Sequence, residues 1–329
     1  MPAPRATAFA PGSIGNVGPG FDVLGLAVGG IGDTVTVELT KDAPRVDAIT
    51  GRDAELVPLD AARNCAAIAA QAILHGSGWN AIVTIHKGLA LSGGMGGSAA
   101  SSVAGAYAAY LALGTIGDMG PMGQMGPMGS SAPTDDRPLT TDHTSIISAA
   151  LAGESAVAGR HLDNIGPSVL GGLALSRSVD PIDVIRLPVL AEWWVALVTP
   201  NVRVRTKDAR ALLPMECDRQ TWIQLMANTT AMAHAFATGD GPLLRRAMDD
   251  RYAEPRRASL IPHFYDVKNA ALGAGAYGSS ISGSGPTIFA IAEDERSAQR
   301  CAEAMQRAFA DIESVAHVGP IEKEGVRAV

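Results

Sequence analysis

The spacing of apolar positions along the chain predicts strands and helices that are interspersed. Alternation with period two is typical of half-buried strands, whereas repeats at i, i+3 and i+4 are typical of amphipathic helices. The predicted strands cover residues 34–39, 81–86, 169–176, 193–199 and 286–292. The predicted helices cover residues 61–75, 98–113, 145–151, 219–238, 242–250 and 295–310. Because strand and helix do not alternate strictly, this order favours an α+β fold over a repeated βαβ fold.

Turn residues between positions 181 and 192 separate two of these patterns. They predict an N-terminal domain of residues 1–185 and a C-terminal domain of residues 186–329. A chain of 329 residues with 47% hydrophobic residues is long enough for two cores. Residues 114–138 repeat a Met-Gly-Pro unit without any hydrophobic period, which predicts a mobile surface loop inserted in the first domain.

Charge and composition narrow the classes of function. The formal net charge is −7 and no block of Lys or Arg stands out, so a general nucleic-acid-binding role is not expected. Cys65, Cys217 and Cys301 are far apart and form no metal-ligand spacing, which argues against a zinc site. No long apolar run predicts a leader or a membrane span, and we expect a cytoplasmic protein with no membrane partner.

The most informative segment is KGLALSGGMGGSAASS, residues 87–102, in which a glycine cluster opens into an Ala-rich helix. The first N–H groups of a helix have no intrahelical acceptor, and together with the helix dipole they favour an anion such as phosphate. Glycine lets the main chain approach that anion closely. The alternative is a plain glycine-rich turn that ends a strand.

Two further clusters present polar side chains among turn residues. Residues 10–25 carry Asn16 and Asp22 between glycines, where they either face a ligand or close Asx-turns. Residues 161–167 carry His161 and Asn164, which would share a face on a helical turn, although Gly166 and Pro167 favour a loop. Neither cluster is decisive alone.

A third glycine-rich cluster, residues 273–286, contains a formal G-x-G-x-x-G. That dinucleotide fingerprint requires a preceding strand and a following helix, whereas here a helical pattern precedes and a strand pattern follows. The chain also lacks G-x-x-x-x-G-K-[ST] and G-x-S-x-G. Phosphate binding would therefore use a scaffold other than the Rossmann or P-loop type.

The three glycine clusters, in this order, resemble the motifs of the GHMP small-molecule kinases. The resemblance spans nearly the whole chain and implies a two-domain fold, with a ribosomal-protein-like N-terminal domain, a ferredoxin-like C-terminal domain and the active site between them. Residues 161–172, 206–210 and 254–257 are similar to segments of the branch that phosphorylates L-homoserine. The resemblance thus implies ATP-dependent transfer to the side-chain hydroxyl of L-homoserine in threonine biosynthesis, with Mg²⁺ and in a homodimer.

The resemblance also implies roles for individual residues. Ser98 and Glu154 would bind the metal, and Asn164 and Asn16 would lie at the hydroxyl that attacks. Arg210 and Arg257 would clamp the substrate carboxylate, because a guanidinium offers a planar fork, and Asp22 would receive the ammonium group. Asn16, His161 and Thr206 would complete the substrate pocket. The implied ATP loop consists of Leu91, Ser92, Gly93, Gly94, Met95, Gly96, Gly97, Ser98, Ala99 and Ser101.

An amide cannot accept the hydroxyl proton, so Asn164 implies a transfer without a dedicated catalytic base. Positioning and charge neutralisation carry most of the catalysis in phosphoryl transfer, and such a mechanism is physically acceptable. Two alternatives stay open at this stage. One is a GHMP kinase acting on a mevalonate-like, shikimate or sugar substrate, and the other is a non-catalytic member that binds a metabolite.

Overall fold

The computed structural model describes residues 3–116 and 141–329. Most of the Met-Gly-Pro segment, residues 114–138, lies outside these residues. The prediction of a surface loop there therefore also falls outside the described residues. The strands are β1 (Arg5–Gly15), β2 (Leu24–Thr40), β3 (Arg45–Gly51), β4 (Asn80–Lys87), β5 (Leu173–Val179), β6 (Ile182–Leu187), β7 (Trp194–Pro200), β8 (Gly278–Ile281), β9 (Ile288–Ala292), β10 (Ser314–Pro320) and β11 (Arg327–Ala328). The helices are α1 (Cys65–Leu74), α2 (Gly97–Gly114), α3 (Thr141–Ser155), α4 (Ile165–Leu170), α5 (Thr206–Ala211), α6 (Arg219–Thr238), α7 (Gly241–Ala247), α8 (Glu254–Arg257), α9 (Phe264–Gly273) and α10 (Glu295–Ala308).

Two separate sheets organise the chain, which confirms the α+β class. The first sheet has the order β11-β1-β2-β4-β3, and β5 and β6 extend it from the other end of β2. The second sheet has the order β10-β7-β9-β8 and is antiparallel throughout. The change of sheet falls between β6 and β7, whereas β11 returns to the first sheet. The division at residues 185 and 186 stays a proposal, and it falls inside β6.

The larger hydrophobic core joins the first sheet and its helices to one face of the second sheet. Helices α1, α2 and α3 pack together and α2 lies on β1 and β2, with Ala-rich faces that allow close approach. Phe289 on β9 is fully buried in this core. Helices α9 and α10 cover the other face of the second sheet, where Phe309 after α10 is fully buried in a smaller core. No helix within the described residues combines the length and apolarity that crossing a bilayer requires.

The predicted elements agree best with the structure where caps are strong. Helix α6 has the predicted bounds, because the Asp218 side chain accepts the Thr221 N–H at its start and Gly239 ends it in the left-handed conformation. Helix α1 begins later than predicted, at Cys65, because the Asn64 side chain caps it. The strand predicted at residues 169–176 is wrong in its first part, where α4 continues to Leu170 before β5 begins.

A buried ion pair joins the first sheet to the first turns of α2. The Lys87 ammonium contacts the Asp33 carboxylate and also donates to the Gly97 carbonyl (3.1 Å) and the Ser101 hydroxyl (2.9 Å). The same carboxylate accepts the Ser101 hydroxyl (2.6 Å) and the backbone N–H groups of residues 88 and 89. Both charged side chains are almost fully buried. The network therefore fixes the end of β4 against the helix that it leads into.

Replacing Lys87 with Met should leave the Asp33 carboxylate buried without its cation. We expect the free energy of unfolding, measured by urea denaturation, to fall by about 3–5 kcal/mol. Lys323→Met is the matched control, because it breaks an ion pair with Glu192 whose two side chains are exposed. That control should change stability by less than about 1 kcal/mol. Equal losses in the two variants would contradict a structural role for the buried pair.

Candidate active site

A cleft of about 230 Å³ between the two sheets collects most of the residues that the sequence singles out. One side is the glycine loop that leads into α2, and the other is a polar pocket formed by the ends of β1, α4, α5 and α8. The predicted residues that line it are Asn16, Asp22, Leu91, Ser92, Gly93, Gly94, Gly96, Gly97, Ser98, Ser101, Glu154, His161, Asn164, Thr206, Arg210 and Arg257. Residues from the separate clusters 10–25, 87–102 and 161–167 thus meet at one site.

The glycine loop adopts a conformation that side chains would prevent. Gly94 has φ +78°, and a Cβ there would lie 2.6 Å from the Ser282 carbonyl oxygen. Gly96 has φ +64°, and a Cβ there would lie 2.2 Å from the Ser13 hydroxyl. These two positions require glycine for both reasons.

The turn that follows β8 holds this loop in place. The Ser282 hydroxyl donates to the Gly94 carbonyl (2.6 Å), and the Thr287 hydroxyl donates to the Gly93 carbonyl. From the other side, the Ser13 N–H donates to the Met95 carbonyl (3.1 Å). With its carbonyls engaged in this way, the loop is fixed at the start of α2.

The N–H groups at the start of α2 form the candidate anion site. The first intrahelical bond runs from the Ala100 N–H to the Gly96 carbonyl (2.8 Å), so the N–H groups of residues 97–99 precede it. The helix has 18 residues, and its dipole reinforces these donors. An anionic phosphate group fits this position by charge and by hydrogen bonding.

Ser98 and Glu154 are the two residues that fit a metal ion. Glu154 lies near the end of α3, and burial raises the pKa of its carboxyl to about 7, although a hydrogen bond from Ser98 opposes that change. Its Oε2 atom is buried and has no hydrogen-bond partner among the described residues. No group of three or more His, Cys, Asp or Glu side chains within the described residues is arranged to hold a metal. A hard cation with ligands shared between two protein oxygens and phosphates fits this donor set.

Asp22 and Arg210 form a bidentate ion pair in the polar pocket. The guanidinium nitrogens lie 3.0 and 2.8 Å from the two carboxylate oxygens. This hydrogen-bonded pairing raises the pKa of Arg210. The Nε atom of the same guanidinium is buried and unpaired among the described residues. The pair holds one cation and one anion side by side, with capacity for a further acceptor.

Arg257 is buried beside this pair. It donates to the carbonyls of Gly283 (3.0 Å) and Ala209 (3.3 Å), and burial lowers the pKa of its guanidinium. The Phe21 ring centroid lies 5.2 Å from the Arg257 guanidinium and 5.3 Å from that of Arg210, so one aromatic ring contacts both cations. The sequence prediction that these two arginines share a pocket agrees with this arrangement.

Asn16 and Thr206 complete the pocket through contacts with the glycine-rich turn after β8. The Asn16 amide donates to the Gly283 carbonyl (2.9 Å) and accepts the Asp22 N–H (2.9 Å). The Thr206 hydroxyl lies 3.3 Å from that of Ser284. The Asn16 side chain accepts an N–H six residues on rather than two, so it does not close the Asx-turn considered as the alternative, and the contact orients Asp22 within the cleft.

Asn164 lies where the glycine loop meets the polar pocket. It is the N-cap residue of α4, but its side chain makes no capping hydrogen bond. Its Oδ1 atom accepts the Ser13 hydroxyl (2.9 Å), and its Nδ2 atom donates to Asp163 (3.4 Å). The loop expected at residues 161–167 is wrong from Ile165 onward, where α4 begins, and that helix directs Asn164 into the cleft.

Two neighbours of Asn164 have shifted pKa values. Burial, together with the negative charge of Asp22, raises the pKa of Asp163 to about 7. Burial also lowers the pKa of His161, and the two nearby guanidiniums lower it further despite the attraction of Asp22. The His161 Nδ1 atom lies 3.9 Å from an Asp22 oxygen. At neutral pH the pocket therefore holds a neutral imidazole and a carboxyl group poised to titrate.

Known proteins match this chain over nearly its full length. The model described as GHMP kinases C terminal matches residues 232–311. The homoserine kinase of Chloroherpeton thalassium is 37% identical over 98% of this chain and 99% of its own length, and that of Arabidopsis thaliana is 36% identical over 98% and 84%. The chain belongs to the homoserine kinase family. The crystal structure of the homoserine kinase from Cytophaga hutchinsonii has the same fold as this homoserine kinase family member, with a TM-score of 0.87. The two chains are 36% identical, and the match covers 99% of this chain and 98% of the other.

Two of the residues predicted for the ATP loop of this homoserine kinase family member do not line the cleft. The Met95 side chain is buried in the core, and only its carbonyl takes part in fixing the loop. Ala99 is fully buried on the inner face of α2. Their side chains support the loop from behind, since α2 needs an apolar face against the sheet.

Sequence reasoning missed several residues that line the cleft. The wall beside the glycine loop is largely apolar and contains a capped helix start. Two charged residues among the missed ones could have been identified from their sequence neighbours. Lys87 opens the glycine-loop segment, and Asp163 directly precedes Asn164. The missed residues are Val57, Pro58, Arg63, Asn64, Cys65, Lys87, Ala90, Val157, Ala158, Asp163, Gly283 and Ser284.

Asp163→Asn should alter the pH dependence of stability. A carboxyl whose pKa is higher in the folded than in the unfolded chain stabilises the fold only while protonated, so its contribution is lost as the pH rises from about 4 to about 7. An amide escapes that loss, and the stability of the variant relative to the parent should increase across this range. Urea denaturation at intervals from pH 4.5 to 8 measures it. A curve for Asp163→Asn that runs parallel to that of the parent would contradict the shifted pKa.

Proposed function

We propose that this member of the homoserine kinase family transfers the γ-phosphoryl group of ATP to the side-chain hydroxyl of L-homoserine, giving O-phospho-L-homoserine. One observation carries the proposal: a single cleft joins the N-terminus of α2 to a pocket with two guanidiniums and a carboxylate. The first feature suits a polyphosphate and the second suits an amino acid. The names of the curated relatives point to the same reaction.

The nucleotide half of the cleft supports binding of a triphosphate. The N–H groups of residues 97–99 begin the helix there, Ser98 lines this half, and the glycine loop allows close approach of the main chain. The Ser101 hydroxyl, predicted for the ATP loop, is instead engaged by Asp33 and Lys87 and supports the loop from behind. Donors fixed before the reaction stabilise developing negative charge without reorganisation. Mg²⁺ held by Ser98 and Glu154 would neutralise charge on the β- and γ-phosphates when it is bound.

The polar half of the cleft supports binding of a zwitterion. In the free protein Asp22 and Arg210 neutralise each other. An α-amino acid can replace each partner, because its ammonium group can take Asp22 while its carboxylate takes the guanidiniums of Arg210 and Arg257. A ligand with only one of these charges would leave Asp22 or Arg210 without a partner, which is unfavourable in a partly buried site. The pocket therefore selects for both charges together.

The transfer itself proceeds without a dedicated catalytic base in this proposal. The carboxamides of Asn164 and Asn16 position the attacking hydroxyl, and neither can take its proton. A loose transition state gains most from orientation and charge neutralisation, and the proton can leave with the phosphoryl group. Asn164 lies against Gly96 of the glycine loop, a position that supports a role at the point of transfer.

A homodimeric assembly is proposed on the family resemblance, and a cytoplasmic location on the sequence pattern. Sedimentation velocity of the purified protein tests the first, and fractionation of cells tests the second. The alternative acceptors, which are mevalonate, shikimate or a sugar, carry no ammonium group to replace Arg210 on Asp22. A non-catalytic binding role is disfavoured by the convergence of Ser98, Glu154 and Asn164 on one cleft.

ATP consumption with a panel of acceptors tests the proposed reaction. L-homoserine should support ADP release, whereas mevalonate, shikimate and galactose should not. Two truncated analogues isolate the charges: 4-hydroxybutyrate lacks the amine and 3-amino-1-propanol lacks the carboxylate. Each should lower kcat/KM by roughly 100-fold or more, since each leaves one charged side chain unpaired. Faster turnover with any other acceptor, or silence with all, would contradict the proposal.

Arg257→Lys tests the carboxylate clamp. Lysine keeps the charge but loses the planar fork, so the KM for L-homoserine should rise by roughly 10-fold to 100-fold, while the KM for ATP stays within about threefold. Arg256→Lys is the matched control, because Arg256 precedes it in α8 but donates to the Tyr252 carbonyl (2.6 Å) outside the cleft. If both variants raise the KM for L-homoserine equally, Arg257 has no specific role in binding.

A further inference from the structure

Ser13 contacts the residue at the centre of the proposed transfer, although its own side chain does not line the cleft. Ser13 lies on β1 and is 1% exposed. Its hydroxyl donates to Asn164 Oδ1 (2.9 Å), and its N–H donates to the Met95 carbonyl of the glycine loop (3.1 Å). One buried residue thus contacts both the loop and the carboxamide beside it.

The neighbours of Asn164 fix which end of its carboxamide faces which way. The Asn164 amide nitrogen lies 3.4 Å from an Asp163 oxygen, and above its raised pKa of about 7 the Asp163 carboxylate only accepts hydrogen bonds, so this contact then requires the amide nitrogen on that side. The Asn16 N–H in turn donates to the Asp163 carboxylate and holds it in place. The amide oxygen is then directed to the Ser13 hydroxyl. Within the described residues Asn164 Nδ2 has this one acceptor, which leaves its second N–H bond available.

We propose that Ser13 is a positioning residue that holds the Asn164 carboxamide as a hydrogen-bond donor toward the point of transfer. This inference rests on the proposed function and specifies it further: Asn164 contributes N–H rather than C=O to the reacting groups. A donor stabilises the negative charge on the phosphoryl oxygens, whereas an acceptor would orient only the hydroxyl of the substrate. Ser13 acts on the reaction through Asn164 and does not touch the substrate.

Steady-state kinetics of Ser13→Ala, Asn164→Ala and the double variant test the connection. Ser13→Ala should lower kcat about tenfold with little change in the KM for ATP, because a freely rotating carboxamide loses its orientation. The double variant should be no slower than Asn164→Ala within about twofold, since Ser13 acts only through that residue. Ser13→Thr keeps the hydroxyl and should recover most of kcat. Additive losses in the double variant would overturn the proposal.

Asn164→Asp distinguishes a donor from an acceptor. An aspartate has nearly the same shape and accepts the Ser13 hydroxyl equally well, but it has no N–H to offer. If the donor matters, Asn164→Asp should lose at least as much kcat as Asn164→Ala. Retained activity in Asn164→Asp would show that the acceptor end is used, which would overturn the proposal.

Ser168→Ala is the control for a merely structural effect. Ser168 is a buried serine of α4 whose hydroxyl donates to the Pro11 carbonyl of β1 (3.0 Å), so its side chain joins the same two elements without contacting the Asn164 carboxamide. Its backbone N–H donates to the Asn164 carbonyl (3.3 Å), and the alanine variant keeps that bond. Loss of the Ser168 hydroxyl should leave kcat within about twofold, and melting temperatures of both alanine variants show whether their stabilities are comparable. Equal losses of kcat in Ser13→Ala and Ser168→Ala would overturn the proposal.

A readout that needs no turnover separates this inference from the proposed function. The side-chain ¹⁵N–H₂ signals of Asn164, assigned by their absence in Asn164→Ala, should shift in Ser13→Ala and stay in place in Ser168→Ala. If the parent protein shows no homoserine-dependent ADP release, the proposed function fails while this shift still reports the Ser13 contact. If turnover is normal and the signals do not move in Ser13→Ala, only the positioning role fails.

Discussion

The contact between the turn after β8 and the glycine loop is the constraint on which the rest of the site depends. Ser282 and Thr287 donate to the carbonyls of Gly94 and Gly93, and the Gly283 carbonyl between them accepts hydrogen bonds from Asn16 and Arg257. One turn of the second sheet therefore holds the glycine loop on one side and the polar pocket on the other. The distance between the two halves of the cleft is set by this turn rather than by either half alone.

Electrostatics divides the site into compensated and uncompensated charges. Lys87 and Asp33 neutralise each other behind the glycine loop, and Asp22 and Arg210 do so in the pocket. Glu154 and Asp163 have no ion-pair partner within the part of the chain that the structure describes, and burial raises the pKa of each to about 7. A charge that is unfavourable in the free protein gains most from a ligand of opposite sign, which is consistent with a metal beside Glu154. The unfavourable burial of these two carboxyl groups is thus located in the cleft that the proposed reaction uses.

How far the site could be predicted follows from the range of the interactions involved. The glycine loop was found from the sequence because the need for glycine and the start of α2 are local properties. Arg210 and Arg257 were found only through the family resemblance, since nothing in their neighbouring residues distinguishes them from surface charges. The roles of Asp33 and Ser13 depend on partners 54 and 151 residues away, respectively, and no local pattern encodes such contacts. Strand β1 was missed for a related reason, because its two glycines and its proline are typical of a turn and only pairing with β2 makes this segment a strand.

The return of the chain to its first sheet ties the two halves of the molecule together. After β10, Ile321 bridges to Val28, and β11 pairs with β1, where Ala328 lies opposite Ala8. The first sheet is thus completed by residues that follow the entire second sheet in the chain. A protease cut between β6 and β7 would not free two independent pieces, since the first sheet would still need β11 of the second piece to cover the edge of β1. The two sheets are therefore joined twice, by the chain between β6 and β7 and by the segment that runs from β10 to β11. These two connections limit how far the walls of the cleft can separate.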